Sequence, residues 1–180
     1  MGTLNFAGGA ALSGSGTNLT SASGLDFGSA EWVSGAPGTI LKVSYGEGTT
    51  QLSTTVLYTY QVIHSVSHTA VASNSRYFLT GYSHAYNANT NSRANLGFSV
   101  TIGGTTTRIE GVDGSTGDTW GTNTYPGSQL NRSAVYTSTA APGTALTFNL
   151  LGGGFDDTAV RFNYTGYGHV STLTVMEIAA

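Results

Sequence analysis

Along residues 94–102 apolar side chains fall on every second position: Ala94, Leu96, Phe98, Val100 and Ile102, against Asn95, Gly97, Ser99 and Thr101. A period of two belongs to a strand with one face buried. Gly103-Gly104 follows at once and predicts a hairpin turn, with the chain returning through residues 105–112. Residues 39–45 read as a strand closed by a turn at Gly46-Glu47-Gly48, and residues 54–64 as a longer one. Residues 76–84 place Arg76, Phe78, Thr80, Tyr82 and His84 on one face. A weaker strand is predicted over 129–136, and clear ones over 144–151 and 159–167. Residues 171–178 carry Leu173 and Val175 on one face and Met176 and Ile178 on the other. Apolar residues on both faces mark a central or interface-buried strand. No helix of two turns is predicted. Eight or nine strands at this spacing predict an all-β fold, an antiparallel β-sandwich that is jelly-roll-like.

Residues 1–36 hold neither period. They are Gly, Ala and Ser with isolated apolar residues, among them Leu4, Phe6, Leu12, Leu19, Phe27 and Trp32. A flexible leader would have this composition. A free linker has no need of Phe6, Phe27 and Trp32, so an extended N-terminal arm that docks on another surface is favoured. Ala36-Pro37-Gly38 punctuates the boundary, giving an arm over 1–36 and a β-sandwich body over 37–180.

Composition narrows the function. Only 8% of the 180 residues are charged, against roughly 25% in ordinary soluble proteins, while Thr, Gly, Ser and Asn number 28, 26, 20 and 11. The six bases, Lys42, Arg76, Arg93, Arg108, Arg132 and Arg161, are scattered and the net charge is −3. There is no basic stripe for phosphates, so nucleic acid is not an expected partner. No apolar run approaches the length of a membrane span, so membrane insertion is not expected either. The chain has no cysteine, which excludes disulfides and thiolate metal sites.

Catalytic chemistry is thin. His64 and His68 are four apart, two pleats along a strand and too far to share an ion easily. Ser, His and Asp all occur, but no Gly-x-Ser-x-Gly elbow does. Asp113, Asp118, Asp156 and Asp157 lie in Gly-rich loops, without the closing glutamate of a twelve-residue calcium loop. The expectation is a non-enzyme with no cofactor and no metal. Binding chemistry is better represented. One loop offers His84, Tyr86, Asn87, Asn89, Asn91 and Arg93, and a second offers Trp120, Asn123 and Tyr125. Rings pack on the apolar faces of sugars, and amides and a guanidinium satisfy hydroxyls. Equally, Trp120 and Tyr125 can serve to pin a long loop.

The C-terminus, Ser171-Thr172-Leu173-Thr174-Val175-Met176-Glu177-Ile178-Ala179-Ala180, resembles the last strand of a group of bacteriophage fibre-type virion proteins. Ala36-Pro37-Gly38-Thr39-Ile40-Leu41-Lys42-Val43 is similar to the opening of the body in the same group, and the resemblance covers roughly 37–180. It implies a structural protein at the virion surface, a short fibre or head or tail fibre knob of a phage of aquatic bacteria, made in the infected host cytoplasm. Such a knob is a homotrimer used for host attachment, here to a surface glycan. Its interface would take Leu173, Val175, Met176 and Ile178, and its arm would hold other virion proteins. Only about 36 residues precede the body, so the chain looks like a compact appendage rather than a long fibre. A capsid decoration protein without a ligand, and a lectin-like carbohydrate-binding module, are the alternatives.

Overall fold

Thr, Val and Tyr in alternation, broken by glycine turns, leave little but strands to form. The computed structural model describes residues 2–5, 11–15, 18–21, 37–54, 59–87, 94–109, 128–154 and 160–180. Among them three strands precede the body: β1 (Gly2–Asn5), β2 (Ala11–Ser15) and β3 (Asn18–Ser21). The body comprises β4 (Ile40–Gly48), β5 (Leu52–Thr54), β6 (Tyr60–Thr69), β7 (Arg76–Asn87), β8 (Ala94–Ile102), β9 (Thr105–Ile109), β10 (Ser128–Thr137), β11 (Ala145–Gly154), β12 (Val160–Phe162) and β13 (Ser171–Ile178).

The expected arm is not a single extended run. β1, β2 and β3 pair as an antiparallel meander, with Leu4 opposite Leu12 and Leu19 opposite Gly14. Phe6, Phe27 and Trp32 lie outside the described residues.

The body is two antiparallel sheets. In the first, β7 is flanked by β10 on one edge and by β12 and β13 on the other. β12 and β13 lie end to end: Val160–Phe162 face Asn87 to Ala85, and residues 172–178 face 82 to 76. β5 pairs outside β12 as β4 pairs outside β13. Taking β4/β5 and β12/β13 as interrupted strands gives four rows, β4/β5, β12/β13, β7 and β10. The second sheet runs β6, β11, β8, β9. Renumbered as eight strands, the orders are 1-8-3-6 and 2-7-4-5, two Greek keys folded onto each other. The expected jelly-roll sandwich is the fold observed.

The core lies between the sheets. Leu79, Leu173 and Val175 of the first sheet meet Leu96, Phe98, Phe148 and Leu150 of the second, all essentially inaccessible. At Gly81 the sheets approach closely: a Cβ there would stand 2.5 Å from Leu150 and 2.9 Å from Phe98. The β8–β9 hairpin turns at Gly103 and Gly104, whose φ of 56° and 84° suit a type I′ turn. β8 departs from its expected half-burial, since Ala94 through Val100 are all buried. Its outer residues are small and covered: Tyr60 lies over Gly97, and the Asn149 amide donates to Ser99.

Three expected boundaries move. The strand expected over 54–64 is described from Tyr60 and runs on to Thr69. Gly46 and Gly48 are strand residues rather than a turn, because their missing side chains make room for the His64 ring. The strand expected over 159–167 stops after Phe162. Asn163 takes φ 52°, a left-handed conformation that Asn tolerates better than most residues. Its amide donates to the Thr50 carbonyl at 3.2 Å, and its Oδ1 accepts from Ser171, which also meets Ser83 at 2.8 Å. Residues 164–170 therefore leave the sheet as a loop closed at its base by buried polar bonds.

Asn163→Ala loses these bonds and adds backbone strain, an expected cost of about 2–4 kcal/mol. Thermal unfolding should show a Tm lower by about 4–16 °C for a chain of this size. Asn163→Gly should recover part of the loss by relieving the backbone; equal Tm values for the two variants would contradict the strained turn.

Candidate functional site

Alternation along β7 sends Tyr82, His84 and Tyr86 to the outer face of the first sheet, one above another over about 14 Å. The 164–170 loop lays its own rings on this column. His169 stacks on His84 with centroids 4.0 Å apart and planes within 15°. Tyr164 stacks on Tyr86 at 4.7 Å and 12°. The Tyr82 hydroxyl hydrogen-bonds His84 Nε2 while their rings meet edge-on. Arg161, the cross-strand neighbour of Tyr86, holds its guanidinium 5.4 Å from the Tyr164 ring centre, within cation–π range. All six side chains are half-buried, so each keeps a surface open to solvent. Burial, with the nearby His169, lowers His84 below the ordinary imidazole range.

Of the binding residues expected from sequence, the structure brings His84 and Tyr86 together. Asn87 ends β7 opposite Val160, and only its backbone is described. Asn89, Asn91, Arg93, Trp120, Asn123 and Tyr125 lie outside the described residues, as do Asp113, Asp118, Asp156 and Asp157. Sequence reasoning missed Tyr82, Tyr164, Arg161 and His169. The i, i+2, i+4 spacing of Tyr82, His84 and Tyr86 was a usable signal. Nothing local announced that a strand break would carry Tyr164 and His169 onto them.

The same outer face changes character toward the start of β7. Val43, Met176, Phe78 and Val135 stand opposite one another in register and form an apolar row across four strands. Ile40 and Ile178 make a second pair beside it. Ile40, Val43 and Val135 are about half exposed, at 55%, 54% and 48%. The candidate interface residues are thus divided. Leu173 and Val175 are fully buried between the chain's own sheets, so they are core residues and offer nothing to a partner. Met176 and Ile178 point the other way, into the apolar row.

A second cluster is internal. Glu177 of β13 is fully buried and accepts hydrogen bonds from the Val71 and Ala72 backbone amides, from Ser75 and from His68. Burial pushes its carboxyl up, but His68, the two amides and Ser75 outweigh this and hold it below the ordinary range. The His68 Nε2 to Glu177 Oε2 distance is 2.8 Å, and the other ring nitrogen lies 2.9 Å from Ser44 Oγ. Burial and the Glu177 charge push the Tyr77 hydroxyl well above its usual range. Among the described residues no group of three His, Cys, Asp or Glu is placed to hold a metal ion.

No family model matches the chain, and no curated protein matches its sequence. Among solved structures, the CBM22-1 xylan-binding domain of Paenibacillus barcinonensis Xyn10C is similar at 14% identity and a TM-score of 0.38, over 81% of this chain and 99% of that one. Chains of infectious bursal disease virus, Gx and Gt strains, are similar at 12% and 11% identity with TM-scores of 0.39 and 0.41. They cover 78% and 100% of this chain, which spans only 38% and 46% of their lengths. These are likenesses of β-sandwich architecture alone.

Acid should weaken the fold in two stages. His84 and His64 are both lowered from 6.5, so the unfolded chain takes up their protons first and stability declines as pH falls through and below that value. Glu177 is lowered from 4.5, so its contribution is complete above that pH and is lost as pH falls toward its folded value. Tm measured from pH 8 to pH 3 checks both stages, and Glu177→Gln should flatten the lower one; an unchanged slope there would contradict the assignment.

Proposed function

We propose that this chain is a virion surface protein whose jelly-roll body attaches to host-surface glycan without catalysing its breakdown. The stacked strip of Tyr82, His84, His169, Tyr86 and Tyr164, with Arg161 at its end, carries the reading. Half-exposed rings in a line offer flat apolar surfaces to the C–H faces of successive sugar rings. Arg161, the tyrosine hydroxyls and the imidazoles supply donors and acceptors for hydroxyls. The C-terminal resemblance to phage fibre-type proteins supplies the virion setting.

Self-association fits the same face. The apolar row at Phe78 stands about 20 Å from His84 along β7, so copies packed through Val43, Phe78, Val135, Met176 and Ile178 would leave the ring strip uncovered. A homotrimer built in this way presents three strips, and weak single contacts become avid ones. Residues 1–36 would then connect the body to other virion proteins.

Binding to host-cell envelope polysaccharide, measured by biolayer interferometry, should weaken about tenfold or more in Tyr164→Ala and in Arg161→Ala, the loss of one stacking contact or of one charged hydrogen-bond donor on each bound copy. Tm should hold within a few degrees. Full binding by both variants would overturn the strip as the site. Absence of any binding by the wild-type chain, with incorporation into particles intact, would favour the capsid decoration reading.

A further inference from the structure

The two sheets leave a seam where β4, an edge strand of the first, faces β6, an edge strand of the second. The inward residues of β4 along this seam are Lys42, Ser44, Gly46 and Gly48, as their register with Glu177, Val175, Leu173 and Ser171 shows. β6 answers with His64, Val66 and His68. Here Ser44 Oγ lies 2.9 Å from His68 Nδ1, and His68 Nε2 lies 2.8 Å from Glu177 Oε2. The order hydroxyl, imidazole, carboxylate is that of an activated serine.

Hydrogen bonding fixes the roles. Glu177 receives two backbone N–H groups and the Ser75 hydroxyl, which favour its ionised form, an acceptor only. A neutral His68 must therefore carry its proton on Nε2 and donate it to Glu177. That leaves Nδ1 as an acceptor for the Ser44 hydroxyl, the state of a general base. His68 and Glu177 are buried, while Ser44 is half-buried on the edge strand β4, so the nucleophile is the member within reach of solvent. Lys42, the one lysine of the chain, sits two residues before Ser44 on the same face and donates to the Thr69 carbonyl, adjacent to His68. Its ammonium is the nearest positive group on β4 for an oxyanion formed at Ser44.

We propose that Ser44, His68 and Glu177 form a nucleophilic site that accepts small acyl esters, with Lys42 as the electrostatic partner. Ser44 Oγ bonds to the ester carbonyl carbon as His68 Nδ1 takes its proton and the carbonyl electron pair moves to oxygen. That pair returns as the bond to the leaving alcohol breaks, and His68 gives the proton to the departing oxygen. Water then attacks the acyl-serine by the same route, releasing the acid and restoring Ser44. Glu177 stabilises the imidazolium in both steps and keeps its charge. This site is independent of the glycan strip and stands on the other face of the first sheet.

The full chain incubated with a fluorophosphonate probe, then digested and sequenced by mass spectrometry, tests the site. The label should appear on Ser44, at a rate about 100-fold or more above that of the urea-denatured chain, the contribution expected of a positioned general base. Folded Ser44→Ala should take no label and should hydrolyse p-nitrophenyl acetate no faster than buffer. Lys42→Ala should label Ser44 more slowly with an unchanged Tm. Labelling at the denatured rate, labelling on Lys42 or another residue, or full labelling of Ser44→Ala would each overturn the proposal.

Discussion

The break in the strand that runs beside β7 is the constraint on which the outer face depends. Between Phe162 and Ser171 the chain leaves the sheet and returns to the same edge of β7. An excursion of this kind exposes backbone groups of the sheet interior, and each must find a partner. Asn163 solves most of this alone. Its N–H reaches the His84 carbonyl at 3.4 Å, its amide holds Thr50, and its oxygen takes the Ser171 hydroxyl. Gln51 steadies the loop from the neighbouring row through Thr165. Because the base of the loop is tied, its aromatic residues are delivered to fixed positions over β7.

The two outer faces of the sandwich are chemically unlike. On the second sheet, Ser65, Asn149 and Ser99 stand side by side and bond in series, and Thr101 bonds Thr106 in the adjacent row. Such a ladder satisfies itself, with Ser65 exposed at its end and Asn149 and Ser99 buried. The first sheet instead displays rings and aliphatic groups, divided into an aromatic end and an apolar end. Beneath that face the buried Glu177 ties β13 to β6 and to the turn that starts β7, so the C-terminal strand is held by charge as well as by its ladder.

Much of the fold was legible in the sequence because alternation survives wherever one side of a strand meets the core. β7 kept its expected faces, and Leu96, Phe98 and Val100 of β8 face the core as expected, although the other side of β8 is covered as well. Misreadings arose where glycine was involved in packing rather than turning, as at Gly46 and Gly48, and where a single Asn at positive φ ended a strand that its pattern would have continued. The site was legible only in part. Tyr82, His84 and Tyr86 share a face by simple periodicity, whereas His169, Tyr164 and Arg161 reach them through a long-range pairing that no local pattern encodes. Likewise Ser44, His68 and Glu177 are far apart in the chain, and only the register of β4 with β13 and the closure of β4 on β6 bring them together. Leu173 and Val175 looked like interface residues because the last strand is apolar on both sides; the burial of one side by the second sheet explains why only Met176 and Ile178 remain outward.

Side-chain NMR of the full chain, titrated with oligosaccharide released from the host envelope, tests the central claim most directly. The account predicts saturable shifts of the ring resonances of Tyr82, His84, Tyr86, Tyr164 and His169, with Phe78 and the buried Phe98 and Phe148 unmoved. Saturable binding that shifts other residues and leaves these five rings unchanged would contradict it.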